Sequence, residues 1–243
     1  MKRFVAIVYG ESGSGKTPFA GTLQDYPPTS PCLFLDVDRG AMSLDSQDPK
    51  PTVLTVRDFN LIGGVYVLLA AKKWAELAEL LTKLRGVQTP VLTYRSVVID
   101  SGTELSARLL TSVVADMEAP TQPEYYKTQA RFLKMYEAFV DLEDISVVMT
   151  AGVRELKDDV AGIVRHYPDF QPNLSKELIR LTDLIAFMNV ALEGTTERKW
   201  QRLLYTSLSQ RAVARDRSGK LDNVLRAEKF YWKDILPKIG VVL

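Results

Sequence analysis

Cysteine and histidine are nearly absent from this sequence. Among 243 residues there is one cysteine, Cys32, and one histidine, His166. Cys32 lies inside an apolar run, so a disulfide framework and a zinc site of clustered Cys and His ligands are both excluded. This cysteine usage is typical of a protein from a reducing compartment, and we expect a cytoplasmic protein.

Long apolar runs and a dominant charge sign are also lacking. No run approaches the ~20 residues that a membrane-spanning helix needs, so we expect no membrane insertion. The first apolar run, Phe4 to Tyr9, leads into glycine-rich sequence instead of a signal-peptide cleavage site. The net charge of +1 gives no global attraction to nucleic acid. Any binding of nucleic acid must therefore come from a local patch.

The chain does contain short apolar runs of the kind that form strands buried on both faces. Five of them stand out, and two further strands are expected near residues 202–207 and 211–215. The five runs are Phe4 to Tyr9, Cys32 to Val37, Val97 to Asp100, Ser146 to Ala151 and Leu184 to Val190. Helical spacing of apolar residues separates several of these runs, for example from Trp74 to Leu84 and from Phe132 to Val140. This alternation predicts an α/β fold with a mostly parallel sheet covered by helices on both faces.

Two segments are less regular. Arg154 to Ser175 has no periodicity and carries one glycine and two prolines, so we predict a long functional or mobile loop there. A helix is expected from about Asp222 to Leu236, followed by a short apolar tail. We therefore divide the chain into a core, residues 1–220, and a C-terminal helix and tail, residues 221–243, that pack on the core or exchange between cores.

A phosphate-binding loop is the strongest motif. The sequence GESGSGKT fits the P-loop pattern GxxxxGK[ST] and lies between an apolar strand and a predicted helix. Backbone N–H groups of such a loop surround phosphates, the lysine neutralises the β and γ phosphates, and the threonine binds Mg²⁺. ATP with Mg²⁺ is therefore the expected cofactor. The residues concerned are Gly10, Glu11, Ser12, Gly13, Ser14, Gly15, Lys16 and Thr17.

Carboxylates at the ends of two predicted strands are candidates for the rest of the site. Asp100 ends the strand Val97 to Asp100, as in a Walker B motif, and is the expected second protein ligand of Mg²⁺. Asp36 and Asp38 end the strand that begins at Cys32. Because ligands bind at the carboxyl ends of strands in open α/β sheets, one of these two acids could position the attacking water. The alternative is that they cap the turn before Gly40.

The order of these motifs resembles that of RecA-like ATPases. The run Phe34 to Asp38 resembles their Asp-x-Glu strand, whose last acid activates water, and this resemblance assigns that role to Asp38. The run Ala214 to Gly219 resembles the Lys-Asn-Arg-x-Gly motif of ring ATPases and helicases. In those proteins two basic side chains reach the γ-phosphate of a neighbouring subunit, which implies that Arg215 and Arg217 act in trans.

Over residues 2–220 the chain looks most like the phage nucleotide-binding family that includes small RecA-like single-strand annealing proteins. Two departures from the family pattern concern the site: Asp38 is shorter than the usual glutamate, and Arg215 replaces a lysine. Thr150, at the end of the fourth strand, falls near the γ-phosphate sensor of RecA-like proteins, although a buried threonine that caps a strand is the commoner explanation.

The resemblance also suggests a nucleic-acid site. The segment from Arg154 to Ser175 lies where RecA-like proteins place a mobile DNA-binding loop, and basic plus aromatic residues suit single strands. An ordinary surface loop is the alternative, because acidic residues dilute the patch. The candidate contacts are Arg154, Lys157, Arg165, Tyr167 and Phe170.

Three functions remain open at this point. The first is a Mg-ATP-dependent ATPase that anneals or loads onto single-stranded DNA in phage recombination, as a homo-oligomeric ring or filament, with a single-strand-binding protein as a further candidate partner. The second is a nucleotide-gated interaction or loading factor that binds no DNA. The third is a small-molecule kinase. Stimulation of ATP hydrolysis by single-stranded DNA would distinguish the first from the others.

Overall fold

The computed structural model describes residues 3–114, 119–158, 162–193 and 199–242. Within these ranges the chain has the α/β fold that the sequence predicts. The strands are β1 Val5–Gly10, β2 Cys32–Asp36, β3 Thr52–Thr55, β4 Ser96–Asp100, β5 Ser146–Ala151, β6 Val153–Asp158, β7 Ile163–Pro168, β8 Leu184–Glu193, β9 Lys199–Tyr205, β10 Arg215–Asp216 and β11 Val224–Ala227. The helices are α1 Lys16–Gly21, α2 Phe59–Ala70, α3 Trp74–Arg85, α4 Gly102–Val113, α5 Gln122–Val140, α6 Pro172–Leu181 and α7 Trp232–Ile235.

The main sheet has the strand order β11-β9-β8-β1-β5-β4-β2-β3, with β10 paired to β8. Strands β8, β1, β5, β4, β2 and β3 run parallel, while β9, β10 and β11 are antiparallel to their neighbours. The expected mostly parallel sheet is confirmed. All five apolar runs identified in the sequence form strands of this sheet. A strand without a polar face must be buried on both sides, between two layers that cover the sheet.

Two apolar layers cover the sheet. One contains helices α2 to α6 and side chains such as Ile7, Val97 and Phe132. The other contains α1 and α7 with Val8, Phe34 and Trp232. Because alternate residues of β1 face opposite layers, Ile7 and Val8 belong to different cores. This double burial holds β1 rigidly, and the loop that follows β1 is correspondingly well positioned.

The C-terminal segment differs from its predicted single helix. Residues Val224–Ala227 form β11, and the helix is restricted to Trp232–Ile235. Between them the chain forms neither a helix nor a strand; Phe230, and Trp232 at the start of the helix, are buried, whereas Lys229 is exposed. The helix prediction was wrong because apolar residues at alternating positions were interpreted with a helical period. Trp232 stacks on Phe19 of α1 with ring centroids 4.4 Å apart.

The prediction of a long loop from Arg154 to Ser175 is also wrong. Its described residues form the antiparallel hairpin β6–β7 and the helix α6. Strand pairing satisfies the backbone polar groups of this segment without any apolar run, which is why hydrophobic periodicity gave no signal. Among the described residues, no helix is long and apolar enough to cross a membrane.

Candidate nucleotide-binding site

The P-loop occupies the carboxyl end of β1, between β1 and the first turn of α1. Gly13 and Gly15 adopt positive φ angles of 79° and 102°, a region that residues with a Cβ rarely enter. At Gly15 a Cβ would also lie 2.7 Å from Nε of Arg202. The glycine positions of the motif are therefore required by the turn and by a close side-chain approach. The loop adjoins a cavity of about 900 Å³.

Lys16 is directed toward the inside of the loop. Its Nζ donates hydrogen bonds to the carbonyl oxygens of Gly10, at 2.9 Å, and Glu11, at 2.8 Å. Burial lowers the pKa of Lys16, and the negative charges of Asp100, Asp38 and Glu11 act in the opposite direction. An ammonium group held only by neutral carbonyls can exchange these bonds for phosphate oxygens, which bind it more strongly.

Thr17, in the first turn of α1, lies beside Asp100, the last residue of β4. Thr17 Oγ1 donates to Asp100 Oδ2 at 2.8 Å, and Thr150 Oγ1 donates to Asp100 Oδ1. Burial raises the pKa of Asp100, whereas the hydrogen bonds from Thr150 and Thr17 lower it. A hydroxyl and a carboxylate in contact are the oxygen donors that Mg²⁺ accepts in a P-loop site, where phosphates and water complete its coordination. The donor set therefore fits the expected ion.

Thr150 is completely buried and is bonded to Asp100. This placement agrees with the interpretation of Thr150 as a buried threonine that caps a strand, and agrees less well with a sensor that touches the γ-phosphate. Its hydroxyl orients the carboxylate instead. The described residues contain no cluster of three or more His, Cys, Asp or Glu side chains able to hold a metal, so an ion at Asp100 would depend on the nucleotide for the rest of its ligands.

Asp36 and Asp38 occupy different environments. Asp36 is 3% exposed and accepts the backbone N–H of Gly40 at 3.0 Å, so it caps the turn. Asp38 is exposed, lines the cavity, and accepts a hydrogen bond from Ser101 Oγ at 2.9 Å. Because Ser101 directly follows Asp100, this bond fixes Asp38 relative to the metal-site carboxylate. Of the two acids, only Asp38 lines the cavity, and its water-positioning role stays a prediction.

Arg202 is a site residue that the sequence did not indicate. It lies on β9, where its Nε donates to the carbonyl oxygen of Ser14 at 3.1 Å and its guanidinium also donates to the carbonyl of Glu228. The sequence shows Arg202 only as a charged residue inside a predicted strand, which does not by itself indicate a site. The antiparallel pairing that brings β9 beside β8, and hence beside the P-loop, cannot be read from strand patterns alone.

The structure does not place Arg215 and Arg217 near the P-loop of the same chain. Arg215 pairs with Ile185 near the amino end of β8, whereas Gly10 lies level with Met188. The guanidinium of Arg215 donates to the carbonyls of Ile179 and Thr182, and Arg217 contacts Asp183 Oδ1 at 3.2 Å. Both arginines are therefore near the amino edge of the sheet, away from the cavity that the P-loop of the same chain adjoins.

The nucleic-acid candidates separate into two groups. In the β6–β7 hairpin the directly opposed pairs Arg154–Tyr167 and Leu156–Arg165 share one face of the ribbon. Lys157 points to the other face, together with His166, whose ring stacks on Phe187 at 4.9 Å. Thus Arg154, Arg165 and Tyr167 form a common surface.

Phe170 does not belong to this surface. It is 3% exposed and packs against Phe132 with ring centroids 5.7 Å apart. A base could stack on it only if the ring left the core, so its proposed contact with nucleic acid is corrected here.

A family model described as an AAA domain matches residues 2–218. This chain belongs to the AAA domain family. With the P-loop after β1, Asp100 at the end of β4 and the order β8-β1-β5-β4-β2, this AAA domain has the RecA-like P-loop fold that the sequence motifs predict. No curated protein sequence matches the chain.

Several solved structures are similar to this chain at low identity and with TM-scores below 0.5. The flagellar accessory protein FlaH from Methanocaldococcus jannaschii is 11% identical, with 92% of this chain and 84% of that chain covered and a TM-score of 0.40. The RadB recombinase is 14% identical, with 83% and 79% covered and a TM-score of 0.42. An ATPase from the type III secretion system of pathogenic bacteria is 15% identical, with 76% and 52% covered and a TM-score of 0.45.

Proposed function

We propose that this AAA domain is a Mg-ATP-dependent ATPase that binds single-stranded DNA as a homo-oligomer and acts in phage recombination by strand annealing. The observation that carries the proposal is the position of the β6–β7 hairpin. Its first residue, Val153, and the preceding Gly152 line the nucleotide cavity, while its next residue, Arg154, begins the shared basic and aromatic face. One continuous segment therefore connects nucleotide and the proposed DNA surface.

The base of the hairpin is held by residues next to the catalytic carboxylates. The backbone N–H of Gly152 donates to Thr103 Oγ1 at 2.9 Å, and the Gly152 carbonyl accepts from the Asp169 N–H at 3.0 Å. Thr103 lies on α4, three residues after Asp100. A displacement at Asp100 on nucleotide binding would be passed through Thr103 to both ends of the hairpin, which is how ATP could switch DNA binding.

The proposed hydrolysis uses residues already in place. Lys16 exchanges its carbonyl bonds for phosphate oxygens and neutralises charge, while Asp38, held by Ser101, orients the attacking water. Thr17 and Asp100 would hold Mg²⁺, which neutralises phosphate charge when bound. Arg215 and Arg217 of a neighbouring subunit complete the site in this proposal, each contributing only in trans.

The DNA part of the proposal is tested with the double variant Arg154→Ala/Arg165→Ala. Fluorescence anisotropy of a labelled oligo-dT should show tighter binding with a non-hydrolysable ATP analogue than without it, and the variant should lose about tenfold or more in affinity. The control is Lys83→Ala/Lys127→Ala, which removes two exposed positive charges from helices α3 and α5.

Equal DNA affinity of the hairpin variant and the wild type would overturn the assignment of this surface. Absence of DNA binding together with ATP hydrolysis stimulated only by a protein would favour a nucleotide-gated interaction factor. Phosphate transfer to a metabolite would favour a small-molecule kinase.

A further inference from the structure

The β8–β9 hairpin projects beyond the end of β1. Gly10, the last residue of β1, is level with Met188 of β8, which pairs with Leu204 of β9. β8 continues to Glu193 and β9 begins at Lys199, so both strands extend past the sheet edge that carries the P-loop. The projecting part is a two-stranded ribbon beside the nucleotide cavity.

Arg202 marks the level at which this ribbon meets the phosphate loop. It pairs with Val190 across the ribbon and contacts the Ser14 carbonyl. Trp200 precedes it by two residues, and residues two apart in a strand lie on the same face. Trp200 is therefore on the face that touches the P-loop, about 7 Å farther along the ribbon and away from the sheet.

The exposure of Trp200 is unusual. Its side chain is 68% exposed, and its cross-strand partner Leu192 is 44% exposed. The other two tryptophans are packed: Trp232 is completely buried and Trp74 is half-buried near Tyr94. Tryptophan is strongly buried on average, so a largely uncovered indole two residues from Arg202, which lines the cavity, is a surface that a ligand can cover.

A nucleotide held by the P-loop has an aromatic group at its outer end. Its phosphates lie in the loop, at the level of Arg202, and the ribose and base extend away from Lys16 toward solvent. Nucleobases stack on aromatic side chains, and such stacking depends on ring area more than on base identity. Trp200 has the chemistry and the strand position to receive the base.

We propose that Trp200 is the platform on which the base of the bound nucleoside triphosphate stacks. The inference rests on the proposed nucleotide-binding function of the P-loop and adds the residue that selects the base. The free energy of stacking increases with ring area, so the platform favours purines. ATP and GTP should therefore bind with similar affinity, and both should bind more tightly than CTP and UTP.

The test compares ligands with and without a base. Isothermal titration of Mg-ATP and of Mg-tripolyphosphate is carried out on the wild type, Trp200→Ala, Trp200→Phe and the control Tyr126→Ala, which removes another exposed aromatic ring, on α5. Trp200→Ala should weaken ATP binding by about tenfold or more and leave tripolyphosphate binding unchanged. Trp200→Phe should restore most of the loss, and Tyr126→Ala should match the wild type.

A spectroscopic measurement tests the contact directly. In the variant Trp74→Phe/Trp232→Phe the remaining tryptophan is Trp200, and its emission should change on addition of ATP but not of tripolyphosphate. If this variant does not fold, the ATP-dependent change in tryptophan emission is measured in the wild type and in Trp200→Ala. The part of the change that Trp200→Ala lacks is then assigned to Trp200.

The outcomes separate the inference from the proposed function. Unchanged ATP affinity in Trp200→Ala, or an equal loss for ATP and tripolyphosphate, would overturn the stacking role while leaving the P-loop assignment intact. A smaller oligomer by light scattering with unchanged ATP affinity would also overturn it and assign Trp200 to a subunit contact. Failure of the wild type to bind either ligand would contradict the nucleotide-binding function itself.

Discussion

At the scale of single residues, Asp36 and Asp38 show how two similar side chains acquire different roles. They are two positions apart at the end of β2, yet only Asp38 lines the nucleotide cavity. Burial raises the pKa of Asp36, and the backbone N–H groups of Gly40, Ala41 and Arg39 lower it. Asp36 therefore stabilises the turn, whereas Asp38 is the acid that we propose to position the attacking water.

We expect Asp38→Asn to slow ATP hydrolysis by about a hundredfold or more while ATP still binds, because an amide cannot accept a proton from the attacking water. Asp36→Asn keeps an acceptor for the Gly40 N–H and should cost much less. Steady-state hydrolysis and ATP affinity are measured for both. Equal losses of rate in the two variants would show that the roles of the carboxylates have been assigned wrongly.

At the scale of structural elements, α1 depends on a partner far along the chain. The helix has six residues, too few to be stable alone, and its Phe19 is covered by Trp232 and Phe230 from the C-terminal segment. The backbone N–H of Trp232 also donates to Thr22 Oγ1 at 3.1 Å. The helix that begins at Lys16 is thus held in place by residues about 210 positions later.

Trp232→Ala should lower the free energy of unfolding by about 3–5 kcal/mol, since it leaves a large cavity between Phe4 and Phe19. Trp232→Phe should cost much less. The indole Nε1 has no hydrogen-bond partner among the described residues, so its removal breaks no hydrogen bond to the protein. Urea denaturation measures both changes. A loss for Phe as large as that for Ala would mean that the indole nitrogen is bonded through water.

The elements differ in how well the sequence predicts them. β1, β2, β4, β5 and the first half of β8, as far as Met188, are buried on both faces, so their sequences are continuous apolar runs that are recognised directly. The short edge strand β3 and the hairpin β6–β7 lack such runs. Their existence depends on pairing with neighbours, and that is tertiary information.

The residues of the site also divide into those that local sequence determines and those that depend on tertiary contacts. Gly10 to Thr17 and Asp100 were predicted because local sequence determines both the loop and the strand end. Arg202 was not, because it approaches the P-loop through the antiparallel register of β9 on β8. The burial of Phe170 depends on its packing against α5, so the composition of its own segment could not predict it.

At the scale of the whole molecule, the two ends of the parallel strands carry complementary halves of the proposed catalytic unit. The P-loop, Asp38 and Asp100 are at the carboxyl edge, and Arg215 and Arg217 are at the amino edge. A head-to-tail contact between subunits would bring the two halves together, and such contacts generate rings or filaments.

Mixing two inactive variants tests this arrangement. Lys16→Ala subunits keep the arginines, and Arg217→Ala subunits keep the P-loop, so mixed interfaces contain one complete site. We expect the mixture to recover part of the ATP hydrolysis that each variant lacks, because an arginine supplied in trans contributes about a thousandfold or more. Hydrolysis is measured across mixing ratios.

Arg217 also bonds to Asp183, whose carboxylate accepts the Val5 N–H, so thermal melting must show that Arg217→Ala remains folded. Arg217→Lys, which keeps the positive charge beside Asp183, serves as the control for this structural effect. No recovery at any ratio, together with a monomeric mass in ATP and single-stranded DNA, would contradict the trans role.

The central position of β1 in the sheet has a consequence for biosynthesis. β1 is made before its partner strands, which begin at Ser146 and Leu184. At translation rates of about 5–20 residues per second, roughly 7–30 s pass between the synthesis of β1 and that of its first neighbour. This apolar strand is therefore unpaired during that interval, and we expect the yield of the protein to depend on chaperones that shield β1 during synthesis.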